Sequence, residues 1–159
     1  MGHIYKIDNT DLQILDILTQ NAKKPFSEIA KKVHVSGGTI HVRVNKLENA
    51  GVIERTTVKL RYAKLGYDIT AFIGIYLEKS ALYDTVLANL KAIPEITNIH
   101  YTTGNYSMFV KIHCKDTNHL KEVLHDKIQQ VEGIERTETM ISLEESLDRS
   151  LSLSPTKRN

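Results

Sequence analysis

The chain has 159 residues, with 21 Lys/Arg against 19 Asp/Glu, a formal net charge of +2 and 41% hydrophobic residues. That suffices for a packed core in one ordinary domain or two small ones, while no apolar run approaches the roughly 20 residues needed to span a membrane. The small net charge hides an asymmetry: residues 1–66 carry 11 Lys/Arg against 6 Asp/Glu and residues 67–159 carry 10 against 13, the pattern of a nucleic-acid module joined to something else.

Residues 1–7 lack the apolar core of a signal peptide. The single cysteine, Cys114, excludes an internal disulfide and fits a reducing cytoplasm; it is expected as a small buried apolar residue. Asp8 is well placed to cap a first helix, with Asp11 three residues on and Ile7 facing Leu12 as a hydrophobic staple. That helix presents Leu12, Leu15 and Leu18 on one face, widened by Ile14 and Ile17.

After a polar break, Phe26 to Gly51 holds two helical patterns in close succession. Ile29, Ala30 and Val33 recur at helical spacing behind Pro25. Ser36 is a good N-cap for the next helix, whose inner face is Ile40, Val44 and Leu47 and whose end is marked by Gly51. The outer face carries Gly38, Val42, Asn45 and Lys46, flanked by Thr39, His41 and Arg43. This is a helix-turn-helix whose second helix is expected in a DNA major groove. An amphipathic helix with a basic outer face is often only a solvated helix, but two details favour DNA. Val42 gains nothing in water, whereas it suits a thymine methyl. Gly37 and Gly38 leave the helix N-terminus uncovered, so its N–H groups are open to a phosphate, at some cost in helix stability.

From Val52 to Leu60 the pattern is β-branched and partly alternating, predicting a short strand or wing. Arg55, Lys59 and Arg61 are then available to the phosphate backbone, although exposed strand lysines also serve as edge protection. Residues 62–68 form a linker, closing a first domain over 1–61. A second domain over 69–145 reads as strand 69–77, helix 80–93, strand 96–101, a turn with Gly104, strand 106–114, helix 117–131 and strand 136–143. The order βαββαβ is a ferredoxin-like split βαβ unit, so the fold class is α+β. Phe72, Gly74 and Tyr76 make the second side of its first strand largely apolar, and another copy of the chain is the expected cover. The tail 146–159 is expected as a loose edge strand or a cover over a dimer interface, with 155–159 disordered.

No histidines pair at the helical four-residue spacing and none joins a Cys-x-x-Cys, so no metal site is expected, and no residue is assigned a catalytic role. No phosphate loop, Gly-x-Ser-x-Gly or dinucleotide fingerprint occurs, so no cofactor is expected. The dense polar cluster is the hairpin Tyr101 to Ser107, where Gly104 lets backbone N–H groups converge on a carboxylate. An ordinary Gly-Asn turn is the competing reading.

With both modules placed, the chain resembles the Lrp/AsnC family of bacterial and archaeal transcription regulators across residues 4–145, and more closely its AsnC-like branch. The matching stretches are IDNTDLQIL, SGGTIHVRV with LENAGVI, LGYD, FIGI, YTTGNYSMF and TETMISL. The resemblance implies a winged helix-turn-helix followed by a βαββαβ effector domain, in homodimers that assemble to octamers and bind a small amino acid between dimers. Carried onto this chain, the recognition helix is 36–49, with Gly38, Thr39, His41, Val42 and Arg43 as groove contacts. With the capping Ser36, Gly37, Asn45, Lys46 and Arg55, these make the expected DNA-binding set. The implied effector site is Tyr101, Thr103, Gly104, Asn105, Tyr106 and Ser107, with Gln129 and Glu138 or Thr139 from a neighbouring subunit. Many family members carry acidic residues where this chain has Asn105 and Ser107, which leans towards a neutral polar ligand, asparagine first. Two rivals keep the same architecture. One is a ligand-indifferent architectural DNA-binding protein; the other is an enzyme resembling the sirohaem decarboxylases, with His100 and His113 as its haem-handling candidates.

Overall fold

The computed structural model describes residues 5–153, so the expectation of disorder over 155–159 lies outside the described residues. They form two compact units, one of residues 5–59 with 147–153 and one of 60–146.

In the first unit α1 (Asn9–Gln20) begins at the N-cap Asp8 with both arms of a capping box in place. Asp11 N–H donates to Asp8 at 2.9 Å, and Asp8 N–H donates back to Asp11 at 3.0 Å. Helix α2 (Phe26–Val33) follows Pro25 and ends at His34, whose φ of 57° is the left-handed turn into α3. Helix α3 (Gly37–Asn49) is capped by Ser36, whose Oγ accepts from Thr39 N–H at 3.1 Å, and it closes before Gly51 at φ 70°. The core is Ile14, Ile29, Ala30, Val33, Ile40 and Val44. Leu12, expected on the inner face of α1, is only half-buried, because Asp11 takes the inward position beside it.

No strand forms over 52–60. Val52 and Ile53 turn back on α3, donating their N–H groups to Leu47 C=O at 2.9 and 3.1 Å, and Val58 is 69% exposed. A strand is defined by a neighbour that takes its N–H and C=O groups, and among the described residues none pairs here. Among the described residues of the tail no edge strand forms either: 147–153 lies with the first unit, where Leu153 N–H donates to Asp16 at 3.0 Å and Asp148 pairs with Lys59.

The second unit is a four-stranded antiparallel sheet in the order β2-β3-β1-β4. Its strands are β1 (Ile69–Leu77), β2 (Ile96–Tyr101), β3 (Met108–Cys114) and β4 (Ile134–Ile141), with α4 (Tyr83–Lys91) and α5 (Thr117–Glu122) between them. One face of the sheet packs Ala71, Ile73, Ile75, Met108, Val110 and Ile112 against Val86 and Leu90 of α4 and Leu120 of α5. Cys114 is buried, and burial pushes its thiol up to about 11. The helix expected over 117–131 changes at Val123 to a wider turn, Val123–Ile128, with bonds spanning five residues. That geometry turns Val123 and Ile128 into the core together; both are fully buried. The expected helix over 80–93 is a 3₁₀ turn, Ser80–Leu82, leading into α4.

Candidate nucleic-acid interface and effector site

The outer face of α3 is as expected in outline. Gly37, Gly38, His41, Asn45 and Lys46 are exposed, and Val42 is 55% exposed. A Cβ added at Gly37 would meet nothing within 4 Å, and one at Gly38 only Ser36 Oγ at 3.9 Å. Packing within the chain therefore does not require either glycine. The Ser36 and Thr39 hydroxyls share a 2.8 Å hydrogen bond, and the His41 ring stands edge-on to Phe26 at 5.2 Å between centroids. A shallow groove beside α3 is lined by Tyr5, Lys6, Asp8, Ser36, Gly38, Thr39, Val42, Arg43 and Lys46. Arg55 is exposed on the segment beyond α3.

Arg43, expected as a contact to DNA, is engaged within the chain. Its Nη1 donates to Asp8 Oδ2 and to Asp11 Oδ1, each at 2.8 Å. The Asp11 side chain is fully buried, and its second oxygen accepts from the Tyr5 hydroxyl at 2.8 Å and from Asp8 N–H. Two carboxylates at the start of α1 thus draw the guanidinium inward and hold it strongly protonated. Asp8 in turn sits below the ordinary carboxylate range, through the Asp11 N–H first and Arg43 second.

In the second unit the hairpin is closed by Thr102, which donates its hydroxyl to Tyr106 C=O at 2.7 Å and its N–H to Ser107 C=O at 3.2 Å. Gly104 has φ 103°, a conformation that favours glycine, and Thr103, Gly104 and Asn105 are exposed at the tip. Ser107 leans into the sheet, donating its N–H to Ile75 C=O at 2.9 Å. Tyr106 lies on the face away from the helices. Its hydroxyl donates to Glu138 Oε2 at 2.8 Å, while Oε1 accepts from Tyr76 at 3.0 Å and from Arg136 at 3.1 Å. These donors, Tyr106 foremost and then Tyr76, keep Glu138 below the ordinary carboxylate range.

The remaining expected residues are not gathered there. The Tyr101 ring packs on Tyr83 at the start of α4, 4.4 Å between centroids. Gln129 donates to Thr137 at 3.2 Å, and Thr139 pairs with Ile73, whose side chain belongs to the helix-covered core. Strand alternation explains the split: Glu138 and Thr139 point to opposite faces. Glu138, expected as a contributor from a neighbouring subunit, meets Tyr106 of its own chain.

Comparison with known proteins fits both halves. Residues 70–151 match the Lrp/AsnC ligand binding domain, and residues 7–54 match a winged helix-turn-helix DNA-binding domain. The chain is 43% identical to Regulatory protein AsnC of Escherichia coli K12 over 147 residues, covering 92% of this chain and 97% of that one.

The chain belongs to the Lrp/AsnC family.

It is therefore a helix-turn-helix transcription regulator carrying a ligand-binding domain. The E. coli AsnC structure superposes with a TM-score of 0.88 at 42% identity, covering 93% of this chain and 99% of that one. The HTH-type transcriptional regulator FL11 of Pyrococcus furiosus is 39% identical over 137 residues, 86% of this chain and 89% of that one. These relatives of the Lrp/AsnC chain are named as regulators, and none of those names is an enzyme's.

Within this Lrp/AsnC ligand-binding domain, sequence reasoning missed Gly74, Tyr76 and Arg136. A Cβ at Gly74 would fall 2.4 Å from the Tyr106 ring, so the glycine lets that ring lie flat on the sheet and reach Glu138. The Arg136 guanidinium covers the Tyr76 ring at 3.7 Å. A glycine inside an otherwise apolar strand was the available signal. Among the described residues no group of three His, Cys, Asp or Glu side chains is placed to hold a metal ion. No described helix is long and apolar enough to cross a membrane. His113 is packed, stacked on Tyr62 at 4.3 Å and hydrogen-bonded to Thr70, and burial lowers its pKa.

Proposed function

We propose that this regulator reads double-stranded DNA with the outer face of α3 and answers to a neutral polar amino acid, asparagine first. The observation that carries the DNA reading is that face itself: Gly38, Val42 and Lys46 turn outward in succession, and packing requires neither glycine. Ser36, Gly37, Thr39, His41 and Asn45 extend the contact surface, and Arg55 supplies a phosphate contact beyond the helix.

The effector reading rests on the bond from Tyr106 to Glu138, which joins the hairpin to β4. The open N–H groups around Gly104 suit a carboxylate, and the ionised Glu138 suits an ammonium group. Thr103, Asn105 and Ser107 supply hydrogen-bonding groups for an uncharged polar side chain. Tyr101, Gln129 and Thr139 lie towards the helix side and enter only where a second copy completes the site. The assembly is a homo-oligomer built on dimers, up to an octamer, and its place is the cytoplasm.

Mechanistically this is linkage. An effector that favours one arrangement of subunits changes how paired α3 helices span half-sites one helical turn, about 34–36 Å, or a multiple apart. Such coupling is typically about 1–3 kcal/mol. A thermal-shift screen of the amino acids tests the ligand directly, since a hundredfold excess over Kd adds about 2.7 kcal/mol to the native state. Gel-shift titration of Gly104→Asp tests the place: DNA binding is expected to persist while the response to the hit disappears. A normal response in that variant sinks the hairpin site.

A further inference from the structure

We infer that Arg43 is a positioning residue for DNA recognition, held by Asp8 and Asp11 so that it sets how α3 is presented, and not a contact to the phosphate backbone. The inference rests on the DNA-binding reading of α3.

Three observations carry it. First, a single fully buried carboxylate, Asp11, ties three parts of the unit together. It closes the capping box of α1, accepts from Tyr5 in the segment before that helix, and accepts from Arg43 in the middle of α3. Second, Arg43 occupies the central turn of α3, next to Val42 and three residues before Lys46. Whatever fixes Arg43 against α1 therefore fixes the roll of the reading face. Third, the charge balance is wrong for a phosphate ligand. One guanidinium faces two carboxylates, both at 2.8 Å, so the cluster carries a net negative charge. A phosphate approaching Arg43 would be repelled by Asp8, whose side chain is 51% exposed. Lys46 is exposed on the outer face with no carboxylate in ion-pair range among the described residues.

The two roles leave different signatures in salt. Removing a side chain that neutralises one phosphate lowers the slope of log K against log salt by about 0.9, whereas removing a positioning residue leaves that slope alone. They also predict opposite signs for removing the carboxylates, because a phosphate-binding cation is helped when a nearby negative charge is deleted. Asp8→Asn is the clean variant, since asparagine caps a helix about as well as aspartate.

The experiment uses the full chain and two duplexes: one selected by the parent protein from a random-sequence library, and a scrambled duplex of equal length. Binding is titrated across a salt series for the parent, Arg43→Ala, Asp8→Asn, Asp11→Asn and Lys46→Ala, with circular dichroism confirming that each variant is folded. Arg43→Ala is expected to lose at least about tenfold on the selected duplex, with an unchanged slope and unchanged binding to the scrambled one. Asp8→Asn is expected to weaken selected binding in the same way, and Asp11→Asn more strongly. If Asp11→Asn does not fold, Asp8→Asn decides alone. Lys46→Ala should lower the slope by about 0.9 on both duplexes. A lowered slope for Arg43→Ala, together with tighter binding by Asp8→Asn, overturns the assignment and makes Arg43 a phosphate contact. If the parent binds neither duplex, or Lys46→Ala matches the parent throughout, the DNA reading of α3 falls and the assignment falls with it.

Discussion

Gly38 shows how a residue can be read through what it lacks. It stands in the first turn of α3 where a Cβ would make only an ordinary contact with Ser36 Oγ, so alanine there relieves the entropy cost of glycine, worth about 0.5–1 kcal/mol. Gly38→Ala is accordingly expected to raise the melting temperature while weakening DNA binding, on the order of tenfold if one N–H bond to phosphate is removed. Opposite signs in the two measurements identify a glycine kept for its ligand. A variant that melts later and binds DNA as before removes that role. Residue-level legibility was uneven for a physical reason. Asp8, Ser36 and Gly51 act through the backbone a few positions away, so local sequence reveals them. Arg43 acts through residues 32 and 35 positions away in sequence. A helical wheel places it beside the outer face but says nothing about which helix end it meets.

At the scale of elements, periodicity found the helices and the four strands, because apolar side chains repeat with the geometry they build. It failed at 52–60, where Val52, Ile53, Val58 and Leu60 have strand character but no paired neighbour. Strand formation is a property of two segments, and one segment's composition settles only half of it. The hairpin 101–107 was legible as a polar turn, yet its neighbours in sequence part company in space: Tyr101 packs towards α4, while Tyr106 crosses to the open face. That crossing depends on Gly74. Gly74→Ala is expected to cost about 1–3 kcal/mol by overpacking the Tyr106 ring, read as a drop in melting temperature. Adding Tyr106→Ala should recover part of the loss, since the two side chains compete for one space. Strictly additive losses would place the crowding elsewhere.

For the molecule as a whole, charge asymmetry and the change of pattern near residue 66 made two modules legible, and the boundary between the compact units falls at residues 59 and 60. The tail escaped, since polar contacts such as those of Leu153 and Asp148 leave no periodic trace. The open sheet face of the second unit is where the proposed assembly would find its cover. Phe72 and Phe109 stack at 5.7 Å on the face opposite the helices, beside Met140, which is 41% exposed. A second copy is the proposed cover. Phe109→Lys should shift the protein to a smaller species in size-exclusion chromatography with light scattering, with its circular dichroism retained. A parent that runs as a monomer at micromolar concentration would remove the need for any such cover.

The junction of Arg43 with Asp8 and Asp11 also bears on transplantation. Recognition helices are attractive units to exchange between regulators, on the premise that residues facing DNA travel with their specificity. Here the segment 36–49 would arrive in a new scaffold carrying a guanidinium whose two anchors stayed behind at the start of α1. The graft would present the right side chains at the wrong roll, with an unpaired charge at its centre. Redesigning specificity in this chain therefore means moving α1's acidic pair with α3, or changing only the outward residues and leaving Arg43 in place.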